Sequence, residues 1–152
     1  VPSDEAYMLG LFHNVGVPLM MQRFEDYLVV VRDAYAQGKD VTDVEDERYS
    51  TNHAVVGYLV SRNWGLAAHI GQLILNHHAA SDRLGRDSCR MSREGRLLAV
   101  LKMAEHIDQR FWGRIEDPEW QKHGASVLAY VGISDSDFED TVEDMVELLS
   151  QH

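Results

Sequence analysis

The spacing of apolar residues follows the α-helical period along nearly the whole chain. In the last predicted helix these residues are separated by four, three, one and three positions: Phe138, Val142, Met145, Val146 and Leu149. Such spacing places side chains on one face of a helix, whereas a half-buried strand would alternate at every second residue. No segment with a period of two competes with this pattern. The sequence therefore predicts an all-α protein.

Turn and capping residues divide this pattern into about seven predicted helices. Gly16 breaks the first helix, and Ser136 with Glu139 forms a capping-box pattern at the start of the last one. Between two helices, residues 40–47 (DVTDVEDE) hold five acids and are interpreted as an acidic connector. Because 152 residues suffice for one hydrophobic core, we predict a single helical-bundle domain over residues 1–152.

The chain is strongly acidic, with 14 Lys and Arg against 25 Asp and Glu, a net charge of −11. Phosphate backbones and anionic lipids would be repelled, so we expect neither a nucleic-acid nor a membrane partner. The longest apolar runs, 17–21 and 28–31, are much shorter than the ~20 residues of a membrane span. A single cysteine cannot form an internal disulfide, which fits a cytoplasmic location.

Four of the eight histidines occupy positions that favour metal binding. His13 precedes Asn14, His53 opens a predicted helix, and His77 and His78 lie together at a helix end. Imidazole with a carboxylate suits zinc, iron or manganese. Adjacent helical residues point about 100° apart, so only one of His77 and His78 is expected to face a given centre. The alternative is that these histidines lie in the core or at helix ends and bond to the backbone.

One short segment reverses the charge of the chain. Five of the 14 basic residues lie between Arg83 and Arg96, opposed only by Asp87 and Glu94. This local excess could bind a phosphate group or an acidic partner. The candidate anion-binding residues are Arg83, Arg86, Arg90 and Arg93. The alternative is a solvated loop that balances the acidic remainder of the chain.

Several motifs occur in the order of a known family. They are AYMLGLFHNVG at 6–16, the set Glu45, Tyr49 and His53, then Gly57, Trp64 and Leu66, IGQLILNHHAA at 70–80, and YVGISDSDF at 130–138. The first is similar to the GLLHDIG segment of the HD superfamily. In this order and spacing the chain resembles the HDOD domain, the HD-related output domain of bacterial signalling proteins. The resemblance covers about residues 6–146 and implies an all-helical, HD-like bundle.

The resemblance also implies a position within the family's usual domain. HDOD domains usually have an N-terminal helical lobe before the segment that is similar here. We expect that lobe to be missing, so that the chain is the C-terminal portion of an HDOD domain. The apolar surface left by its absence could pair with a second copy of the chain.

Catalytic relatives indicate what chemistry the chain has lost. Catalytic HD proteins are phosphohydrolases in which a metal ion activates water. Here Asn14 stands at the position of the HD aspartate and brings no negative charge, and Val17 stands where the cyclic-di-GMP phosphodiesterases of the HD-GYP branch carry lysine. The resemblance implies a vestigial set of metal ligands: His13, Asn14, His53, His77, His78 and Glu105.

These departures favour a non-catalytic module that relays a signal by contact with a protein partner, with no catalytic residue and no bound cofactor. The alternative is a metal-dependent HD-type phosphohydrolase for a nucleotide or cyclic dinucleotide, holding a divalent transition metal. A third hypothesis is a ligand-binding sensor that keeps the old pocket without its chemistry. The arginine-rich segment would then form one wall of an anion site.

Overall fold

A computed structural model describes residues 1–86, 92–114 and 116–151 of the chain. Over these residues it contains ten α-helices, one 3₁₀ turn (His77–Ala79) and no strand. The helices are α1 (Ser3–Phe12), α2 (Gly16–Arg23), α3 (Tyr27–Ala36), α4 (Val41–Tyr49), α5 (His53–Asn63), α6 (Ala68–Asn76), α7 (Ala80–Arg86), α8 (Arg93–Phe111), α9 (Pro118–Val131) and α10 (Asp135–Ser150). The predicted all-α class is confirmed.

The first of two compact units spans Pro2–His78. Its central helix is α5, which packs against α2, α4 and α6, while α1 lies against α6 and α3 against α4. Apolar side chains from all six helices are buried, among them Leu9, Met20, Tyr27, Ala34, Val41, Ala54, Leu73 and Ile74. This burial fixes the start of α5 and the end of α6, where three of the four histidines singled out above lie: His53, His77 and His78.

The second unit begins at Ala79. In it, α9 packs against α7 and α8, and α10 packs against α8. Leu128, Phe138 and Val142 form a buried cluster here, on which Trp120 and other partly buried side chains pack. The single domain predicted for residues 1–152 stays a prediction. Over the described residues, no helix has both the length and the apolar character that crossing a membrane requires.

The helices are shorter and more numerous than the sequence pattern predicts. The sequence pattern predicts one helix with Pro18 in its first turn and Gly38 as its stop. This helix is divided because Phe24 adopts an extended conformation with φ −126° and ψ 112°, which ends α2 before α3 begins. At the other end of the chain, the predicted capping pair of Ser136 and Glu139 is wrong. Ser134 caps α10 instead, since its Oγ accepts the backbone N–H of Asp137 at 3.1 Å.

The acidic connector predicted for residues 40–47 is also wrong, because most of this segment belongs to α4. Asp40 caps the helix by accepting the backbone N–H of Thr42 at 3.1 Å. Asp43, Asp46 and Glu47 face solvent, whereas Glu45 is buried. The segment therefore has the charge pattern of a surface helix with one carboxylate turned inward.

Candidate functional site

Three histidine side chains meet in the first unit. His53 is the first residue of α5, and His77 and His78 begin the 3₁₀ turn that follows α6. One ring nitrogen from each lies within 4.8 Å of the other two. His53 and His77 are buried, and His78 is half-buried. We call these three residues the histidine cluster.

The local sequence determines where His53 lies. The side-chain oxygen of Asn52 accepts the backbone N–H of Val55 at 2.9 Å and so begins α5 at His53. Gly16, at the start of α2, approaches this point so closely that a Cβ there would stand 2.0 Å from the carbonyl oxygen of His53. Glycine at position 16 thus allows α2 to pack on the beginning of α5.

A buried carboxylate orients the His53 ring. Glu45 is 0% exposed. Its Oε2 accepts the Nδ1–H of His53 at 2.7 Å and the backbone N–H of His53 at 3.1 Å. The hydroxyl of Tyr27 donates to Oε1 of the same carboxylate. Because His53 donates through Nδ1, its Nε2 presents a lone pair to the cluster.

The same contacts determine the protonation of Glu45 and Tyr27. Burial by itself raises the pKa of Glu45, but hydrogen bonds from His53 and Tyr27, with the electrostatic attraction of the His53 ring, outweigh it and hold the pKa below 4.5. Burial, followed by the Glu45 carboxylate, raises the pKa of Tyr27 well above 10. At neutral pH the cluster therefore lies against an ionised carboxylate and a neutral phenol.

Hydrogen bonds also determine which ring nitrogens of His77 and His78 carry a proton. His77 donates its Nδ1–H to the carbonyl oxygen of Ile74 at 2.6 Å, which assigns the lone pair to its Nε2. His53 Nε2 and His78 Nε2 lie 2.9 Å apart, a hydrogen-bond distance. Because His53 accepts through this nitrogen, His78 donates from Nε2. Two ligands of a tetrahedral ion stand about 3.3 Å apart, so the rings would have to move slightly to admit a metal.

His13 and Asn14 lie beside the cluster. The ring of His13 packs edge-on against that of His77, with centroids 5.5 Å apart. His13 donates its Nδ1–H to the carbonyl of Gly10 at 2.7 Å, and its Nε2 accepts an N–H of the Asn14 side-chain amide at 2.9 Å. Asn14 therefore directs its NH₂ group, and not its oxygen, at the ring nitrogen.

The remaining candidate ligand, Glu105, belongs to the second unit. Its carboxylate pairs with the buried ammonium of Lys102 at 2.9 Å, and Glu119 pairs with the same ammonium at 3.1 Å. Burial by itself lowers the pKa of Lys102, but the two carboxylates raise it above 10.5. The assignment of Glu105 as a metal ligand stays a prediction.

Of the four arginines predicted to bind an anion, the three that the structure describes belong to the second unit. Arg83 and Arg86 lie on α7, and Arg93 is the first residue of α8. Arg90 lies outside the described residues. The anion site stays a prediction.

The expectation that His77 and His78 cannot face one centre is wrong. Their ring centroids lie 4.1 Å apart, and a nitrogen of each belongs to the cluster. The α-helix ends at Asn76, and the chain continues in a 3₁₀ turn. Each ring carries its Nε2 well beyond the Cβ, so side-chain torsions rather than Cα–Cβ directions decide where these nitrogens meet.

Two residues around the cluster, Glu45 and Tyr27, could not be identified from their residue types alone. Glu45 stands out only by its spacing to His53 in the family pattern, and Tyr27 occupies one more apolar position of a predicted helix. A tyrosine among aliphatic positions has a polar hydroxyl that must find a partner when buried, which is the available signal.

Comparison with known proteins identifies a family. A family profile described as the HDOD domain matches residues 1–80, which include His13, Asn14 and the whole histidine cluster. No curated protein and no solved structure matches the chain.

Proposed function

Since the chain belongs to the HDOD family, a signalling-related relative of HD domains, we propose that it is a non-catalytic regulatory module. It acts by contact with a protein partner in a signalling pathway. The family membership supports the signalling assignment. Contacts of the first unit support the absence of catalysis and the mode of action.

The hydrogen bond between Asn14 and His13 carries the non-catalytic assignment. In HD hydrolases this position supplies a carboxylate, which offsets the charge of the ion that activates water. Here a neutral amide donates to His13 Nε2 across 2.9 Å, so that nitrogen already has a hydrogen-bond donor. Among the described residues, the group with metal-ligand spacing consists of imidazoles alone. A phosphohydrolase centre with these residues would lack its negative ligand.

Exposed aromatic side chains support a role in protein contact. Tyr7 is 69% exposed and Trp64 is 61% exposed. The Trp64 ring meets Phe12 edge-on, with centroids 5.5 Å apart, so the ends of α1 and α5 present aromatic groups together. Aromatic residues carry much of the binding energy in protein interfaces. The net charge of −11 disfavours nucleic acid as the partner.

A metal-dependent phosphohydrolase is the second candidate, and the histidine cluster is the observation that favours it. Three imidazoles can hold a catalytic zinc ion and leave one position open for water. The substrate would be a nucleotide or cyclic dinucleotide.

Turnover of phosphodiesters distinguishes the two candidates. We would assay a cyclic dinucleotide and a chromogenic phosphodiester with Mn²⁺, Fe²⁺ or Zn²⁺ for the native chain and for Asn14→Asp. Asn63→Asp, at an exposed asparagine of α5, is the matched control for the charge change. We expect no turnover from any of the three proteins. Turnover by the native chain that is lost in His78→Ala would overturn the proposal and favour the hydrolase.

The contact role is tested with a photo-cross-linking residue placed at position 64 in intact cells. The same residue at position 22, an exposed glutamine of α2, is the control. We expect a defined protein to be linked at position 64, and competition by added unmodified chain to reduce the yield. Equal, non-competed labelling from both positions would contradict a contact role for the end of α5.

A further inference from the structure

We infer that the solvent-facing side of α10 is a docking surface for a basic, amphipathic helical segment of a protein partner. This surface consists of Thr141, Met145 and Leu148 beside Asp140 and Asp144, and we call it the α10 face. It belongs to the second unit. The inference therefore goes beyond the proposed function, which is argued from contacts of the first unit.

The core-facing side of α10 is already covered. Phe138 and Val142 are buried in a cluster with Leu128, and Val146 packs against that cluster. These three residues of α10 follow one another at intervals of four, so they lie on one side of the helix. This single stripe is all that an amphipathic helix needs in order to pack on its own unit.

A second group of apolar side chains lies beside this stripe. Met145 and Leu148 are exposed, and they follow Thr141 by four and seven positions, which makes the three residues neighbours on the helix surface. Leu149, three residues after Val146, is exposed as well. Single exposed apolar residues are ordinary, but adjacent ones with a polar rim are typical of protein contact sites.

The acidic residues of α10 define the charge of the partner. The helix contains seven Asp and Glu and no Lys or Arg. Glu139 pairs with Arg110 at 3.0 Å. Asp140 and Asp144 are exposed, and neither forms an ion pair within the part of the chain that the structure describes. Because Asp140, Asp144 and Leu148 follow one another at intervals of four, the two carboxylates continue the line of the leucine along the helix.

This combination fits a helix with apolar residues on one side and Lys or Arg at the edges. Such a helix would cover Met145 and Leu148 with its apolar side and place its cations beside Asp140 and Asp144. A nucleic acid, an anionic membrane or a second copy of this chain, whose net charge is −11, would instead bring like charge to the surface. Charge complementarity therefore favours the basic segment.

The apolar and acidic parts of the α10 face have separable effects on binding. Burial of leucine and methionine contributes mainly to affinity, and it depends little on salt. Charges at the rim of an interface contribute mainly to the association rate and to the salt dependence of binding. Substitutions in the two parts should therefore change different measured quantities.

Fluorescence anisotropy of a labelled peptide, titrated with the full chain, tests the inference. The probe is a helical peptide of about 18 residues, or about five turns, with Leu at spacings of three and four and Lys elsewhere. A scrambled peptide of the same composition has no apolar side. We expect the helical probe to bind at least ~10-fold more tightly than the scrambled peptide, with an affinity that falls as salt is raised.

Exposed leucines provide a matched pair for the apolar part. Leu148→Gln should weaken binding of the helical probe at least ~10-fold, as expected for a residue at the centre of an interface. Leu28→Gln on α3 is the control, because Leu28 is 58% exposed and Leu148 is 51% exposed. This control should change the Kd by less than about 2-fold.

Two double variants test the acidic part. Asp140→Asn with Asp144→Asn should flatten the dependence of Kd on salt. Asp43→Asn with Glu47→Gln is the control, since it removes two exposed carboxylates at the same spacing from α4. The two double variants have the same net charge, so a difference between them reports the position of the charges and not their number.

Three results would overturn the inference. The first is equal binding of the helical and the scrambled peptide, and the second is an equal loss in Leu148→Gln and Leu28→Gln. The third is self-association of the native chain in sedimentation equilibrium that Leu148→Gln abolishes, because a second copy would then cover the α10 face. None of these results depends on Asn14 or Trp64, so failure of the proposed function is recognised separately, by turnover or by the cross-linking result.

Discussion

His53 donates its Nδ1–H to the buried carboxylate of Glu45 across 2.7 Å, and this contact joins the start of α5 to the middle of α4. Glu45 is 0% exposed and accepts two further hydrogen bonds, from the backbone of His53 and from Tyr27. The carboxylate thus has a structural role as well as an orienting one. Together, the hydrogen bonds to Glu45 join residues of α3, α4 and α5.

We expect Glu45→Gln to lower the free energy of unfolding by about 2 kcal/mol, because the amide places a donor where the carboxylate accepts. Urea denaturation followed by circular dichroism measures this. Glu47→Gln, at an exposed glutamate of the same helix, should change stability by less than about 0.5 kcal/mol. Equal effects from the two substitutions would show that the buried hydrogen bonds are energetically unimportant.

The lowered pKa of Glu45 predicts a loss of stability in acid. The pKa in the folded chain lies below 4.5, the value expected when the chain unfolds. The stabilisation from this group is therefore complete above 4.5 and is lost as pH falls through the folded pKa. Between about pH 5 and pH 3, the native chain should lose more stability than Glu45→Gln. Parallel curves of denaturation midpoint against pH would contradict this assignment.

Lys102 is a buried charge of the second unit, and its removal should destabilise the folded chain. It is 2% exposed and pairs with Glu105 and Glu119. Lys102→Met keeps the apolar stem and removes the charge between two carboxylates, so we expect a loss of about 2 to 3 kcal/mol. Arg96→Met, at an exposed position of α8, is the control and should be nearly neutral.

The raised pKa of Lys102 gives this prediction a second measurement. The pKa lies above 10.5 in the folded chain, so the stabilisation is present below 10.5 and is lost as pH rises through the folded pKa. The difference in unfolding free energy between the native chain and Lys102→Met should therefore shrink in strong alkali. A difference that stays constant there would mean that the ammonium contributes nothing through its charge.

The helical class and the histidines of the cluster could be predicted because they depend on local signals. The period of the apolar residues gives the helices, and the motif order singles out His53, His77 and His78. The environment of Glu45 could not be predicted in this way. Its burial depends on Tyr27, 18 residues earlier, and on His53, eight residues later. In sequence it is one acid among five, most of which face solvent.

Glu105 illustrates the same limit. A glutamate near a histidine on a long helix has a composition suitable for metal binding, and residue type alone does not distinguish a ligand from an ion-pair partner. The buried ammonium of Lys102 lies three residues earlier on the same helix. A lysine at an apolar helical position, with acids at i+3 and in the next helix, is the available signal that such a pair is buried.

Gly16 and Gly10 provide a matched test of how α2 packs on α5. A Cβ at position 16 would stand 2.0 Å from the carbonyl oxygen of His53 and 2.8 Å from its carbonyl carbon, and backbone atoms cannot rotate away. We expect Gly16→Ala to cost about 3 kcal/mol or more, or to prevent folding. Gly10 is an exposed residue of α1, and a methyl group added there would meet no atom of the described residues within 4 Å. Gly10→Ala should therefore stabilise the chain by about 0.5 to 1 kcal/mol. Thermal unfolding of both variants measures the contrast, and similar melting temperatures would mean that α2 does not approach His53 this closely.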